Sequence, residues 1–236
     1  MKELKNWDNK TWLSSKSYIN SFNSFLLKKK KLSKNSKILD IGCGRGGIFG
    51  SLSRKLKLNN KPIGIDPIPH KDVDKLIDFR NEDVFKFFKT NQNKFDLIMI
   101  KQTLHFFNKD KIKKLIKICK NNLKKNGVLI IFSLNTTNNE IPCFKLMKQK
   151  LKIGLERDSR MLKSTCKLLK YHKIDTFKFD VSLTKNKYVQ MLKQKYISCL
   201  INFTKNQINK GIKEFKDTHP NKIIFKDVLI CIKYKH

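Results

Sequence analysis

The fold is decided by the stretch Lys37-Ile-Leu-Asp-Ile-Gly-Cys-Gly-Arg-Gly-Gly-Ile-Phe49. Its apolar start, Ile38–Ile41, is typical of a short strand, and apolar residues then recur at helical spacing at Ile48, Leu52 and Leu56. Four glycines crowd the turn between them: Gly42, Gly44, Gly46 and Gly47. Glycines allow positive φ and a close ligand approach, and the first turn of a helix offers N–H groups without partners. The stretch therefore predicts a strand, turn and helix that bind a nucleotide-like ligand.

Two ligand patterns fit this turn. Gly42-x-Gly44-x-x-Gly47 matches the dinucleotide fingerprint, and Asp66 lies where an acid would hold a ribose. The pattern Asp40-x-Gly42-x-Gly44-x-Gly46 is more specific, because a dinucleotide site prefers an apolar residue where this chain has Asp40. A carboxylate there repels a pyrophosphate and attracts an ammonium or sulfonium group. The turn therefore favours a positively charged cofactor over a dinucleotide or a purely structural role.

With this acidic glycine motif the chain resembles the class I S-adenosylmethionine-dependent methyltransferases, and the resemblance covers at least residues 37–134. It implies an α/β fold with a Rossmann-like, doubly wound, seven-stranded and mostly parallel sheet. It also implies S-adenosyl-L-methionine as the cofactor, contacted by Asp40, Gly42, Gly44 and Gly46. The arrangement is similar to small-molecule carboxyl, oxygen or nitrogen methyltransferases of the trans-aconitate methyltransferase type.

The resemblance implies further cofactor contacts at two later strand ends. Asp66 ends the predicted second strand and is the acid that accepts hydrogen bonds from ribose hydroxyls, although an Asp before Pro67 also suits a turn cap. After the predicted third strand, residues 77–80, the expected adenine contacts are Glu82, Asp83 and Val84, with Asp83 as the preferred acid. Asp83 also suits the N-cap of the next helix, and the two roles are compatible.

The predicted fourth strand, residues 95–100, is a continuous apolar run that suits a central parallel position. Residues at the carboxyl ends of such strands face the ligand crevice. Lys101 and Gln102 are therefore expected beside the cofactor, and His105 near it. A histidine among Leu104, Phe106 and Phe107 suits either a packed position or a catalytic base.

An aromatic stripe precedes the glycine motif. Apolar residues recur at helical spacing at Leu13, Tyr18, Ile19, Phe22, Phe25 and Leu26. In small-molecule methyltransferases a helix in this place often forms a lid, so the resemblance implies that Trp12, Lys16 and Tyr18 line the pocket. The alternative is an aromatic stripe docked on the sheet.

The whole chain, residues 1–236, is predicted to be one methyltransferase domain. It comprises an N-terminal helical lid (1–35), a cofactor-binding core (36–135) and a substrate side (136–236). In the last part the pattern predicts a helix over residues 141–169 interrupted near Gly154, and strands over 175–183 and 223–234. Thr184 and Thr204 are expected to cap two helices between these strands. This helical pair departs from the basic fold and is expected to cover the pocket.

Methyl transfer is an in-line displacement, so alignment and exclusion of water can supply most of the acceleration. A carboxylate acceptor needs no base. For an amine or a phenol, His105, His172 or a tyrosine could take the proton.

The composition bounds the partners. The 53 Lys and Arg residues against 19 Asp and Glu give a net charge of +34, which suits nucleic acid. Only five are arginines, however, and the lysines are spread over most predicted helices, which indicates compositional bias. Lys101-Gln102-Thr103 replaces the Asn/Asp-Pro-Pro-aromatic motif of enzymes that modify base amines. A small-molecule substrate is therefore favoured, with an RNA or ribosomal-component methyltransferase as the first alternative and a binding protein without catalysis as the second.

Cysteine usage and hydropathy bound the compartment. The six cysteines form no C-x-x-C pair, so reduced thiols and no metal site are expected. The longest apolar runs are far too short for a membrane span, and Met1–Trp7 contains no apolar signal core. A cytoplasmic protein without membrane contact is expected, and the pattern specifies neither the methyl acceptor nor the oligomeric state.

Overall fold

The computed structural model describes residues 11–236, which form a seven-stranded sheet. The strands are β1 (Ile38–Ile41), β2 (Ile63–Ile65), β3 (Asp78–Arg80), β4 (Phe95–Lys101), β5 (Leu123–Leu134), β6 (Lys173–Thr184) and β7 (Lys222–Lys235). Their order is β3-β2-β1-β4-β5-β7-β6. All pairs among β1 to β5 are parallel, whereas β7 lies antiparallel between β5 and β6. The predicted Rossmann-like, doubly wound and mostly parallel sheet is confirmed.

Helices cover both faces of this sheet. The α-helices are α1 (Lys16–Lys29), α2 (Gly47–Leu56), α3 (Val84–Thr90), α4 (Lys109–Asn121), α5 (Lys145–Leu168), α6 (Lys185–Lys193) and α7 (Lys205–Thr218). Alternate residues of β4 point to opposite sides: Leu97 and Met99 pack in a cluster with α1, α2, α6 and α7, and Ile98 and Ile100 pack in a cluster with α3, α4 and α5. Within residues 11–236 no helix is long and apolar enough to cross a bilayer.

Helix α1 docks on the sheet through its aromatic stripe. Ser15 caps the helix by accepting a hydrogen bond from the Tyr18 N–H. Tyr18 and Phe22 are completely buried, and both rings contact Phe177 of β6 at centroid distances of 5.6 and 5.1 Å. The helix is therefore part of the hydrophobic core, and only its amino-terminal end borders the cavity described below.

The C-terminal half differs from the sequence prediction at one point. Helix α5 is continuous, and Gly154 lies inside it without a break. The two predicted caps are confirmed: Thr184 caps α6, and Thr204 forms a capping box with Gln207 at α7. The helical pair between β6 and β7 is therefore present, and the loop that follows α6 reaches the cavity.

Candidate active site

A cavity of about 780 Å³ lies at the carboxyl ends of β1, β2 and β4. This is where ligands bind in open α/β sheets. Its walls come from the glycine turn, from the loops after β2, β3 and β4, from the start of α1 and from the loop after α6. Its polar or charged lining residues include Lys16, Asp40, Asp66, His70, Asp83, Lys101, Gln102, His105 and Lys195.

The backbone conformation of the turn requires glycine at three positions. Gly42, Gly44 and Gly46 have φ values of +75°, +55° and +72°, which L side chains rarely adopt. A Cβ atom at Gly42 would overlap the Thr103 side chain, whereas a Cβ atom at Gly44 would meet nothing within 4 Å. The open space above Gly44 lies in the cavity, so a ligand can reach the main chain there.

Asp40 is a buried carboxylate at the edge of this turn. It is 4% exposed, and its Oδ1 atom has no hydrogen-bond partner among residues 11–236. Burial raises the pKa of Asp40 to about 7; the positive charge of Lys101 opposes the rise and Asp66 adds to it. A buried carboxylate oxygen without a partner is costly, so the site favours a ligand that brings a cation or a donor.

Asp66 has both carboxylate oxygens engaged by the turn. Oδ2 accepts from the Gly44 N–H at 3.0 Å, and Oδ1 accepts from the Ile68 N–H at 2.9 Å. The turn-capping alternative is therefore present. An ionised carboxylate has about four acceptor sites, so these two bonds leave capacity for ribose hydroxyls. Asp66 borders the cavity, so turn capping and ribose binding are compatible.

The loop before α3 brings two of its three predicted residues to the cavity. Asp83 and Val84 line it, and Asp83 also caps α3 by accepting from the Phe85 N–H at 2.8 Å. Glu82 is not among the lining residues.

Lys101 and Gln102 lie at the end of β4, as predicted, and both line the cavity. Lys101 Nζ donates to Gln102 Oε1 at 3.1 Å. The ammonium group also lies 5.5 Å from the centroid of the Tyr18 ring and 5.6 Å from that of Phe22. These two aromatic faces stabilise a positive charge at the base of the cavity.

His105 borders the cavity in the short helix after β4. Its ring lies 4.0 Å from that of Phe106, and within the described chain its buried Nε2 atom has no partner. Burial lowers the pKa of His105; Asp158 opposes the decrease and Arg157 adds to it. The imidazole is therefore neutral near pH 7, which is the form that can accept a proton.

Four other predicted site residues do not line the cavity, and one of them is Tyr18, which is completely buried in the core. Trp12 is 5% exposed and donates through Nε1 to Asp227 in the core, as the alternative of a docked stripe requires. His172 precedes β6, which runs parallel to β5, so it lies at the amino-terminal ends of these strands, away from the cavity. Its Nδ1 atom is 2.7 Å from the Leu169 carbonyl oxygen. Gly46 is buried beneath the turn against Ile77 and opens α2. These placements replace the predicted cavity contacts.

Sequence reasoning missed two residues near the site. His70 lines the cavity, and its side chain is 2% exposed with Nε2 3.7 Å from Asp66 Oδ1; nothing in the pattern signals this. Asp227 is 1% exposed and lies on the apolar face of β7 with Phe225 and Leu229. An acid among alternating apolar residues of a predicted strand is a signal that could have identified it.

The fold and this site define a class: Rossmann-like proteins that bind a cationic nucleoside cofactor. The model of the family described as "Methyltransferase domain" matches residues 32–196, and the chain belongs to that family. The protein is therefore an S-adenosylmethionine-dependent methyltransferase. The unpaired Asp40 oxygen and the open space above Gly44 fit this cofactor. The sequence matches no protein of curated function.

Solved structures with the same fold include three enzymes of distant sequence. One is the plantazolicin methyltransferase BpumL in complex with a triazolic desmethylPZN analogue and SAH, at 15% identity and a TM-score of 0.53, covering 98% of this chain and 89% of that one. A precorrin-6y C5,15-methyltransferase from Geobacter metallireducens has 13% identity and a TM-score of 0.51, covering 91% and 86%. A protein from Anabaena variabilis, provisionally named a methyltransferase of an antibiotic biosynthesis pathway, has 12% identity and a TM-score of 0.59, covering 89% and 95%.

Proposed function

We propose that this methyltransferase transfers a methyl group to an oxygen, nitrogen or carboxylate of a small molecule by in-line displacement. The observation that carries the proposal is the shape of the cavity. One cavity of about 780 Å³ joins the glycine turn to a second region lined by the start of α1 and by residues 195–198. This volume lies within the range of about 300–1,000 Å³ typical of small-molecule sites.

The proposed cofactor contacts are made by the part of the cavity around the glycine turn and the ends of β2, β3 and β4. Asp40 accepts from the cofactor ammonium group, Asp66 from its ribose, and Asp83 from its adenine amino group. The other proposed contacts are Gly42, Gly44, Val84, Lys101 and Gln102. S-adenosylmethionine, when bound, supplies a methyl group on a positively charged sulfur. The unpaired oxygen of Asp40 supports this orientation, because a buried carboxylate oxygen without a partner favours a cationic donor beside it.

The second region is proposed to bind the acceptor. Tyr196 is 2% exposed, and its hydroxyl is held 2.6 Å from that of Tyr188, so this wall is rigid. Such a wall aligns an acceptor and excludes water, which are the main requirements of a displacement. His105 is the proposed base if the acceptor is an amine or a phenol, because its neutral imidazole borders the cavity.

The experiment is methylation of a cell extract by the purified protein with labelled S-adenosylmethionine. We expect label in the small-molecule fraction, and none with Asp40→Asn. Label in RNA or protein alone would contradict the proposal and favour the RNA alternative, which rests on the net charge of +34. An acceptor from the small-molecule fraction would also decide whether the trans-aconitate methyltransferase type is the right comparison.

A further inference from the structure

Asp40, Lys101 and Asp227 project from one face of the sheet. Asp40 of β1 is paired with Met99 of β4, and Lys101 lies two residues further along β4, so its side chain leaves the same face. Asp227 of β7 lies between Phe225 and Leu229, which belong to the buried cluster on that face. The three charged groups therefore share one layer of the molecule.

The Lys101 ammonium lies within electrostatic reach of both carboxylates. Its positive charge opposes the rise that burial causes in the pKa of Asp40 and in the pKa of Asp227. The ring faces of Tyr18 and Phe22 hold it over the core, at 5.5 and 5.6 Å. Yet Asp40 Oδ1 accepts no hydrogen bond from it or from any other donor of residues 11–236.

Asp227 is a buried carboxylate that does not line the cavity. Its Oδ2 accepts from Trp12 Nε1 at 3.0 Å. The Tyr18 hydroxyl faces the same carboxylate closely enough to oppose the rise in its pKa, but it makes no hydrogen bond of ordinary geometry. Two neutral neighbours do not compensate a buried charge fully, so a nearby cation stabilises Asp227.

We propose that Asp227 is a positioning residue that attracts Lys101 away from Asp40. Lys101 would otherwise pair with Asp40 and occupy the carboxylate oxygen that binds the cofactor ammonium group. Asp227 thus keeps the cofactor site open from a position outside the cavity. This inference rests on the role of Asp40 in the proposed function.

The test is calorimetric binding of S-adenosylhomocysteine to the purified full chain. Asp227→Asn removes the charge but keeps an oxygen for the Trp12 N–H, and we expect about tenfold weaker binding from the competing ion pair. Adding Lys101→Met to Asp227→Asn removes the competitor, so we expect the affinity to recover to that of Lys101→Met alone. Trp12→Phe is the structural control: it breaks the bond to Asp227, keeps the carboxylate, and should change the affinity less than about twofold.

Each outcome separates the two proposals. The positioning role would be overturned if Asp227→Asn weakened the affinity equally in the parent and in the Lys101→Met variant. It would also be overturned if Trp12→Phe weakened the affinity as much as Asp227→Asn does. Unchanged binding by Asp227→Asn would overturn it too. If Asp40→Asn binds as tightly as the parent, the proposed function loses its contact between Asp40 and the cofactor ammonium group, whatever Asp227→Asn does. Asp227→Ser repeats the comparison if Asp227→Asn does not fold.

Discussion

At the scale of single residues, the proposed contact between Asp40 and the cofactor ammonium group would link cofactor binding to pH. Burial raises its pKa to about 7, so near neutral pH a proton competes with any cation for the carboxylate. A cofactor ammonium group stabilises the ionised form, and the proton must leave before it binds. We therefore expect the affinity for the cofactor to rise with pH until Asp40 is fully ionised in the free protein.

We expect the affinity for S-adenosylhomocysteine to increase about tenfold from pH 6 to pH 8, because one proton is lost across the pKa of Asp40. Calorimetry at constant ionic strength measures this. Asp40→Asn should bind weakly and independently of pH over the same interval. If the affinity of the parent protein does not change with pH, or falls as the pH rises, Asp40 is not the partner of the cofactor ammonium group.

The glycine turn offers a matched pair of substitutions. Gly42→Ala combines a positive φ with overlap between the new methyl group and Thr103, whereas Gly44→Ala has the positive φ alone. The conformational cost is about 1–2 kcal/mol for either change. We expect Gly42→Ala to lose clearly more unfolding free energy in urea than Gly44→Ala. Equal losses would mean that Thr103 moves aside freely.

At the scale of secondary-structure elements, the sequence predicts what local rules determine. β1 ends where predicted, and the caps Thr184 and Thr204 form, because hydrophobic periodicity and capping act within a few residues. The predicted interruption at Gly154 fails, because a single glycine weakens a helix without ending it. The inward position of His70 also escapes prediction, because it depends on how a loop folds back onto Asp66.

Two helical glycines have opposite expected effects. Gly211 of α7 lies against the Phe144 ring, and a Cβ atom there would overlap it, so Gly211→Ala should destabilise the protein by about 1–3 kcal/mol. A Cβ atom at Gly154 would meet nothing within 4 Å, so Gly154→Ala should stabilise it by about 0.5–1 kcal/mol. Urea denaturation measures both. Stabilisation by Gly211→Ala would show that there is room for a methyl group between α7 and the Phe144 ring at the start of α5.

At the scale of the whole molecule, acidic and basic side chains both line the cavity, the basic ones being Lys16, Arg45, Arg54, Lys101, Lys111 and Lys195. The chain has 19 acidic residues, and Asp40, Asp66, Asp72, Asp74 and Asp83 all line the cavity. The lysine excess is spread over exposed helix faces such as that of α4. Composition therefore reveals the net charge but not which charged side chains line the cavity, which depends on the fold.

The spread of most lysines over exposed helix faces is expected to separate the binding of polyanions from the binding of the cofactor. We expect the protein to bind unrelated RNA with an affinity that falls steeply between about 50 and 200 mM salt. Saturating RNA should change the affinity for S-adenosylhomocysteine less than about twofold, because most exposed lysines lie outside the cavity and only a few, such as Lys16 and Lys111, line it. Fluorescence anisotropy at several salt concentrations measures the first expectation and calorimetry the second. Salt-insensitive RNA binding that competes with the cofactor product would favour the RNA alternative.

The position of β7 between β5 and β6 has a consequence for synthesis on the ribosome. Strand β6 has twelve residues, but its partner is made only after both helices that separate them, from residue 222 onward. Until then the nascent chain carries an unpaired ribbon, which is the kind of segment that associates with other chains. Helix α1 is made long before β7, and its docking onto Phe177 can cover one face of β6 until β7 is made. The contact between α1 and β6 would thus protect the nascent chain from association during synthesis.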